Sequence, residues 1–206
     1  MNLVLVGAPL SGKGSQAELI SKNFDLVHIS MGDVFRSIRS QNTPLGRLVD
    51  SYLSKAMLVP DDVTIKVLTE KLSSIPKTKG VLLDGFPRTL HQAKQLESIL
   101  QIDAVIYLNI SLENILKRIE NRYICTKCNK TNTAKDKFIP CTFCGGKLTK
   151  RLDDTEDIVR ERFKEFKLFT QSVIDFYNKN HKLMQINGNN SLQNVYEDIK
   201  LRLEAL

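Results

Sequence analysis

Long hydrophobic runs are missing from this sequence. None of its 206 residues belongs to an apolar stretch of about 18 residues, so no membrane span is expected. The opening MNLVLVGAPL has one short apolar run before its first glycine. It lacks the basic start and extended apolar centre of an export signal, and a cytoplasmic protein is expected. Internal repeats and low-complexity tails are absent too. At 42% hydrophobic, the chain has enough apolar material for one sizeable domain with insertions. Histidine is scarce: His28, His91 and His181 show no ligand spacing, and structural or solvated roles are expected for all three. Acid is in deficit, with 23 Asp and Glu against 30 Lys and Arg. The resulting net charge of +7 and pI near 9.2 favour an anionic partner, nucleotide or nucleic acid.

That excess is local. Between Arg122 and Arg151 there are eight basic residues and one acid, Asp136, so this segment carries the charge of the whole chain. All four cysteines lie here as two C-x-x-C pairs, Cys125/Cys128 and Cys141/Cys144, separated by 12 residues. Without an export signal, this spacing suits one structural tetrahedral Zn²⁺ better than disulfides. The aromatics of the segment, Tyr123, Phe138 and Phe143, form no stacking pattern of the kind single-strand binders use.

Elsewhere, short apolar runs alternate with helical patterns. Strands are predicted at 2–6, 26–29, 80–84, 104–110 and 183–186. Their nearly continuous apolar character implies a parallel sheet of about five strands covered by helices on both faces, an α/β three-layer sandwich. Two blocks interrupt the alternation: helical material at 30–59, ending in the turn-like VPDD, and the basic block at 122–153. After the second, DDTED crowds carboxylates at a helix start, with Asp154 as the expected N-cap.

GAPLSGKGSQ, residues 7–16, follows the first strand and precedes a helical pattern. That is the setting of a phosphate-binding loop: glycines turn backbone amides inward, the helix N-terminus adds positive potential, and Lys13 reaches the outer phosphates. Gly14 stands where a hydroxyl residue is usual, and Ser15 supplies the hydroxyl one position later. Asp84 ends a buried apolar strand, where an acid suits water-mediated Mg²⁺ binding.

With ISMGDVFR at 29–36, LLDGFPRT at 82–89 and the RYICTKC…CTFCGGKL block, the chain resembles the adenylate kinases, specifically the bacterial type with a zinc-bearing lid. The resemblance implies a P-loop fold with a core of 1–29, 60–121 and 154–206, an AMP-binding insertion at 30–59 and a lid at 122–153. It implies reversible, Mg²⁺-dependent transfer of the terminal phosphate of ATP to AMP, giving two ADP, by a monomer without membrane or nucleic-acid partners. Leu10, Ser11, Gly12, Lys13, Gly14 and Ser15 would hold the ATP phosphates. Arg118, lying against the adenine, and Arg122, Thr131, Asn132 and Asn190 would also bind ATP. Arg36 and Arg88 would hold the AMP phosphate, while Arg122, Arg151 and Arg162 close over the transferring group. Met31, Met57, Leu58 and Val59, with Gly85, Phe86, Pro87 and Gln92, would complete the AMP site. Asp84 and Ser15 would serve Mg²⁺. The family's lid closure is a familiar case of water exclusion around a reacting phosphate.

Three departures from the family pattern stand out: Met31 replaces a usual threonine, Leu10 is bulky, and the cysteine block is shortened, with Asn132 where an aromatic residue often faces the ATP base. Met31 leaves open a kinase for another monophosphate, such as UMP, CMP or GMP. The basic block leaves open a zinc-ribbon nucleic-acid binder, which would not account for GFPRT or the dispersed arginines.

Overall fold

The computed structural model describes residues 1–55, 57–134, 136–151 and 154–206. Five parallel strands form the central sheet: β1 Asn2–Gly7, β2 Leu26–Ser30, β3 Gly80–Asp84, β4 Ala104–Asn109 and β8 Leu183–Asn187, in the order β2-β3-β1-β4-β8. All five follow the apolar runs. Their side chains alternate between two cores. Leu3 and Leu5 pack with Ala17, Ile20, Val195 and Ile199 on one face. Val4 and Val6 pack with Leu68, Leu96, Val173 and Tyr177 on the other. Complete burial of Leu3 and Leu5 contributes roughly 1.5–3 kcal/mol each.

The helices are α1 Lys13–Asn23, α2 Met31–Arg39, α3 Pro44–Leu53, α4 Asp61–Ser73, α5 Leu90–Ile99, α6 Leu112–Glu120, α7 Glu156–Glu165, α8 Gln171–Lys179 and α9 Leu192–Leu203. Side-chain oxygens cap many of them: Ser30 accepts from Asp33 N, Thr43 from Gly46 N, Thr89 from Gln92 N, and Ser191 from Asn194 N. Helix α1 differs. Its N-cap is Gly12, with φ 94° and no side-chain cap, so its first amides remain available to a ligand.

At α7 the expected cap is corrected. Thr155, not Asp154, caps the helix by accepting from Ile158 N, because the Asp154 carboxylate is taken by Arg122 at 2.7 and 2.8 Å. Asp153, read as part of the same acidic start, lies outside the described residues. Between α7 and α8 the chain makes a π-helical turn, Phe166–Thr170, which the sequence pattern does not announce.

The block at 30–59 forms α2 and α3, and its Met31, Phe35, Val49 and Val59 join the main core. The cysteine block instead makes a separate antiparallel sheet of β5 Arg122–Cys125, β6 Thr131–Thr133 and β7 Leu148–Thr149, in the order β6-β5-β7. Its small core is Cys125, Ala134, Cys141 and Leu148, with Tyr123 and Cys128 packed against it. A third cluster, Ala8, Ile110, Ile115 and Val159, fixes α6 and α7 beneath the glycine-rich loop.

Candidate active site

The loop after β1 is built for close approach. A Cβ on Gly7 would meet Ser11 Oγ at 2.7 Å, and Gly12 adopts a left-handed φ that disfavours other residues. Leu10 also has positive φ, 59°, an uncommon and strained state for a bulky side chain. Gly14 meets no such demand: it lies in the first turn of α1, with nothing within 4 Å of an added Cβ. The expectation that it turns the loop is therefore corrected, since helical backbone needs no glycine. Lys13 Nζ donates to the carbonyls of Gly7 at 2.6 Å and Ala8 at 2.8 Å, with Ser11 Oγ at 3.4 Å. Burial lowers its pKa to about 8, opposed by Asp84 and reinforced by Arg88, Arg162 and Arg122.

Arg118 ties this loop to the β8–α9 turn that carries Asn190. Its guanidinium donates to Leu10 O at 3.2 Å, Ser11 O at 2.8 Å and Gly188 O at 2.7 Å. Asn189 Oδ1 braces the same turn by accepting from Ser111 N and Asn114 Nδ2. Asp84, at the carboxyl end of β3 beside β1, is buried, with His28 Nε2 3.7 Å from its carboxylate. His28 is thus structural, as expected, but it is also a neighbour of the site.

Below the loop is a cavity of about 260 Å³. Of the residues expected at AMP, it is lined by Arg36, Met57, Leu58, Gly85, Pro87, Arg88 and Arg162. Met31, Val59 and Phe86 are not among the lining residues: their side chains are packed in the core, at 1%, 5% and 1% exposure, so only their backbone could meet a ligand there. Hydrophobic packing explains this, for all three belong to the main apolar cluster. Arg151 does not line the cavity, though its charge acts on Asp33 of α2.

Gln92 is 2% exposed and already bonded. Its Oε1 accepts from Arg88 N and its Nε2 donates to Asp61 Oδ1, both at 2.7 Å. A carboxamide has two donors and two acceptor positions, so one of each remains unused, although Gln92 is not among the residues that line the cavity. Asp61 also accepts from Thr89 Oγ1 at 2.7 Å, locking the start of α5. Sequence reasoning did not single out Asp61, although it sits inside the VPDD turn.

Arg88 is half-buried, with Nε donating to Gly85 O at 2.9 Å. Its pKa is pushed down by burial first and then by Arg162, and held up by Asp84 and Glu165. Arg36 pairs with Asp33, and Arg122 with Asp154. Glu165 lines the cavity. Desolvation raises its pKa, and Arg88 and Arg162 oppose the rise. It was also missed, although its spacing three residues after Arg162 puts both on one face of α7. The result is a set of cations gathered at one cavity and held in place by nearby carboxylates, suited to collecting phosphates and holding them still.

In the small sheet, Cys125 and Cys144 sulfurs lie 3.5 Å apart, Cys128 and Cys141 3.7 Å, and all four within 4.8 Å. Four thiolates about 2.3 Å from a tetrahedral zinc would be separated by about 3.8 Å, so the donor set fits. Backbone amides of Lys127 and Cys128 point at Cys125 Sγ, and that of Phe143 at Cys141 Sγ. Thr131 is exposed on β6. Asn132, expected beside the ATP base, has a side chain directed at the cysteines instead.

The adenylate kinase family model matches residues 5–182. The adenylate kinase of Clostridium tetani is 39% identical over 216 residues, covering all of both chains. That of Bacillus subtilis is 41% identical over 216 residues, covering all of this chain and 99% of the relative. A Geobacillus adenylate kinase is 41% identical over 215 residues, with both chains fully covered.

Proposed function

This chain belongs to the adenylate kinase family, and we infer from that membership and its site that it reversibly transfers the terminal phosphate of ATP to AMP, giving two ADP. The observation that carries the reading is the convergence of Lys13, Arg88 and Arg162 on one cavity, beside a helix N-terminus left uncapped.

In the forward direction an AMP phosphate oxygen attacks the γ-phosphorus of ATP. A new P–O bond forms as the bond to the β-phosphate oxygen breaks, and the electron pair leaves with ADP. No side-chain base is required, because a phosphate monoester with its second pKa near 6 is already ionised at neutral pH. The protein's task is alignment and charge stabilisation. Lys13 and the first amides of α1 hold the β- and γ-phosphates. Arg36 and Arg88 hold the AMP phosphate, while Arg122, Arg151 and Arg162 cover the group in flight. Asp84 and Ser15 would hold the water shell of the Mg²⁺ that comes with ATP, which would offset phosphate charge. Gln92 offers its remaining donor and acceptor to adenine, above Met57 and Leu58.

The core comprises 1–29, 60–121 and 154–206, with 30–59 as the AMP-binding insertion and 122–153 as the lid. One structural Zn²⁺ fills the four cysteines, leaving no open coordination position for substrate. The protein is a cytoplasmic monomer. Among the described residues no helix is long and apolar enough to cross a membrane. Nucleic acid is not among its partners on this reading, because a zinc-ribbon binder would leave GFPRT and the cavity's arginines without a role.

The reverse reaction tests this reading cleanly. Purified protein given only ADP and Mg²⁺ should yield equal ATP and AMP. Formation of inorganic phosphate in their place would contradict transfer between nucleotides.

A further inference from the structure

Asn132 is 4% exposed, at the centre of β6, where an exposed aromatic residue would be available to a nucleotide base. Its amide is fully used. Nδ2 donates to Lys130 O at 3.1 Å and to Cys141 Sγ at 3.4 Å. Oδ1 accepts from Thr142 N and Thr142 Oγ1, both at 3.0 Å. The orientation of the amide follows from its partners, since the Thr142 amide can only donate and the Lys130 carbonyl can only accept. Two donors and two acceptor positions are therefore all satisfied within the small sheet.

The placement matters because of what it joins. The chain leaves β6 after Thr133 and returns at Cys141, which opens the second C-x-x-C pair. Asn132 closes that loop, fastening the strand after the first pair to the first two residues of the second. Among the described residues it is the one side chain other than cysteine whose polar hydrogen is directed at a cysteine sulfur; the remaining N–H donors to sulfur are backbone amides. Losing a partner that orients a metal ligand in this way typically costs about ten- to a hundredfold in metal affinity.

We propose that Asn132 is a positioning residue of the cysteine metal centre, holding Cys141 and the second cysteine pair in register with the first, and that its side chain serves this role in place of contact with the ATP base. An aromatic side chain could not make these four bonds. The shortened cysteine block therefore takes its brace from the strand that faces the nucleotide.

The proposal rests on reading the four cysteines as a zinc centre, and the experiment separates the two. Zinc dissociation constants are measured by competition with a chromophoric chelator for the parent, Asn132→Asp and Thr142→Val, alongside the visible spectrum of the Co²⁺-substituted proteins. Asn132→Asp keeps the shape but loses the donor to Cys141, and should weaken zinc binding by about ten- to a hundredfold with a distorted Co²⁺ spectrum. Thr142→Val removes one of four bonds, so it should fold even if the first variant does not, and should weaken zinc measurably but less. Parent protein that binds no zinc would overturn the metal centre itself. Parent and both variants that hold zinc equally, with matching Co²⁺ spectra, would leave the centre standing and overturn the role of Asn132.

Discussion

Arg88 reaches the cavity from the turn after β3, its Nε anchored on Gly85 O at 2.9 Å and its backbone amide held by Gln92. Position and planarity are both fixed before substrate arrives. Arg88→Ala should lower turnover by about two orders of magnitude with the fold intact, as expected when an oriented charge on the reacting phosphate is removed. Arg88→Lys should recover little of this, because an ammonium cannot reproduce the two-pronged geometry. Near-normal turnover in Arg88→Lys would show that charge alone suffices. Lys13 gives a pH signature. Its free pKa, about 8, lies below the ordinary 10.5 because of burial, and bound phosphates favour the protonated form. ATP affinity should thus be flat up to about pH 8 and then decline, by roughly tenfold per pH unit at most, because binding must take up a proton. Calorimetric binding between pH 7 and 10 would show it; an affinity independent of pH over that range would rule out titration of Lys13.

With zinc held by the four cysteines as proposed, the small sheet β5–β7 should depend on its metal more than on its packing. Its core is two cysteines, an alanine and one leucine around three very short strands, too little apolar surface to hold alone. Chelation or Cys125→Ala should loosen this element first, lowering the melting temperature and weakening ATP retention while the five-stranded core stays folded. Metal-free protein with an unchanged melting temperature would contradict this. Helix α7 allows a smaller test: Thr155→Ala should cost about 1 kcal/mol in denaturant unfolding, the usual value of an N-cap, while an Asp154 variant should act instead through Arg122. These elements also mark what could be read in advance. The strands of the large sheet were legible because each is a short apolar run between turn signals. The small sheet was not, since strands of two to four residues are too short to carry a hydrophobic period and their pairing follows the cysteine knuckles. Likewise, residue types located Asp154, Met31 and Asn132 near the site but could not say which way their side chains turn, for that is decided by Arg122, the apolar core and Cys141.

At the scale of the molecule, charge and shape cooperate. The sheet sets the glycine-rich loop and Asp84 side by side at the carboxyl ends of β1 and β3, and the cavity beneath collects arginines from α2, the β3–α5 turn and α7. Base selection is a separate matter from phosphate binding. On the proposed reading it falls to Gln92, which Asp61 orients, together with the Met57–Val59 stretch. A pocket that hydrogen-bonds one base edge leaves its own polar groups unpaired against another, at about 1–3 kcal/mol per lost partner. The most direct measurement is therefore a coupled assay with Mg²⁺-ATP and each of AMP, GMP, CMP and UMP in turn. AMP should be phosphorylated at least about tenfold more efficiently than any other. UMP or CMP equal to AMP, or no transfer to any of the four, would contradict the account.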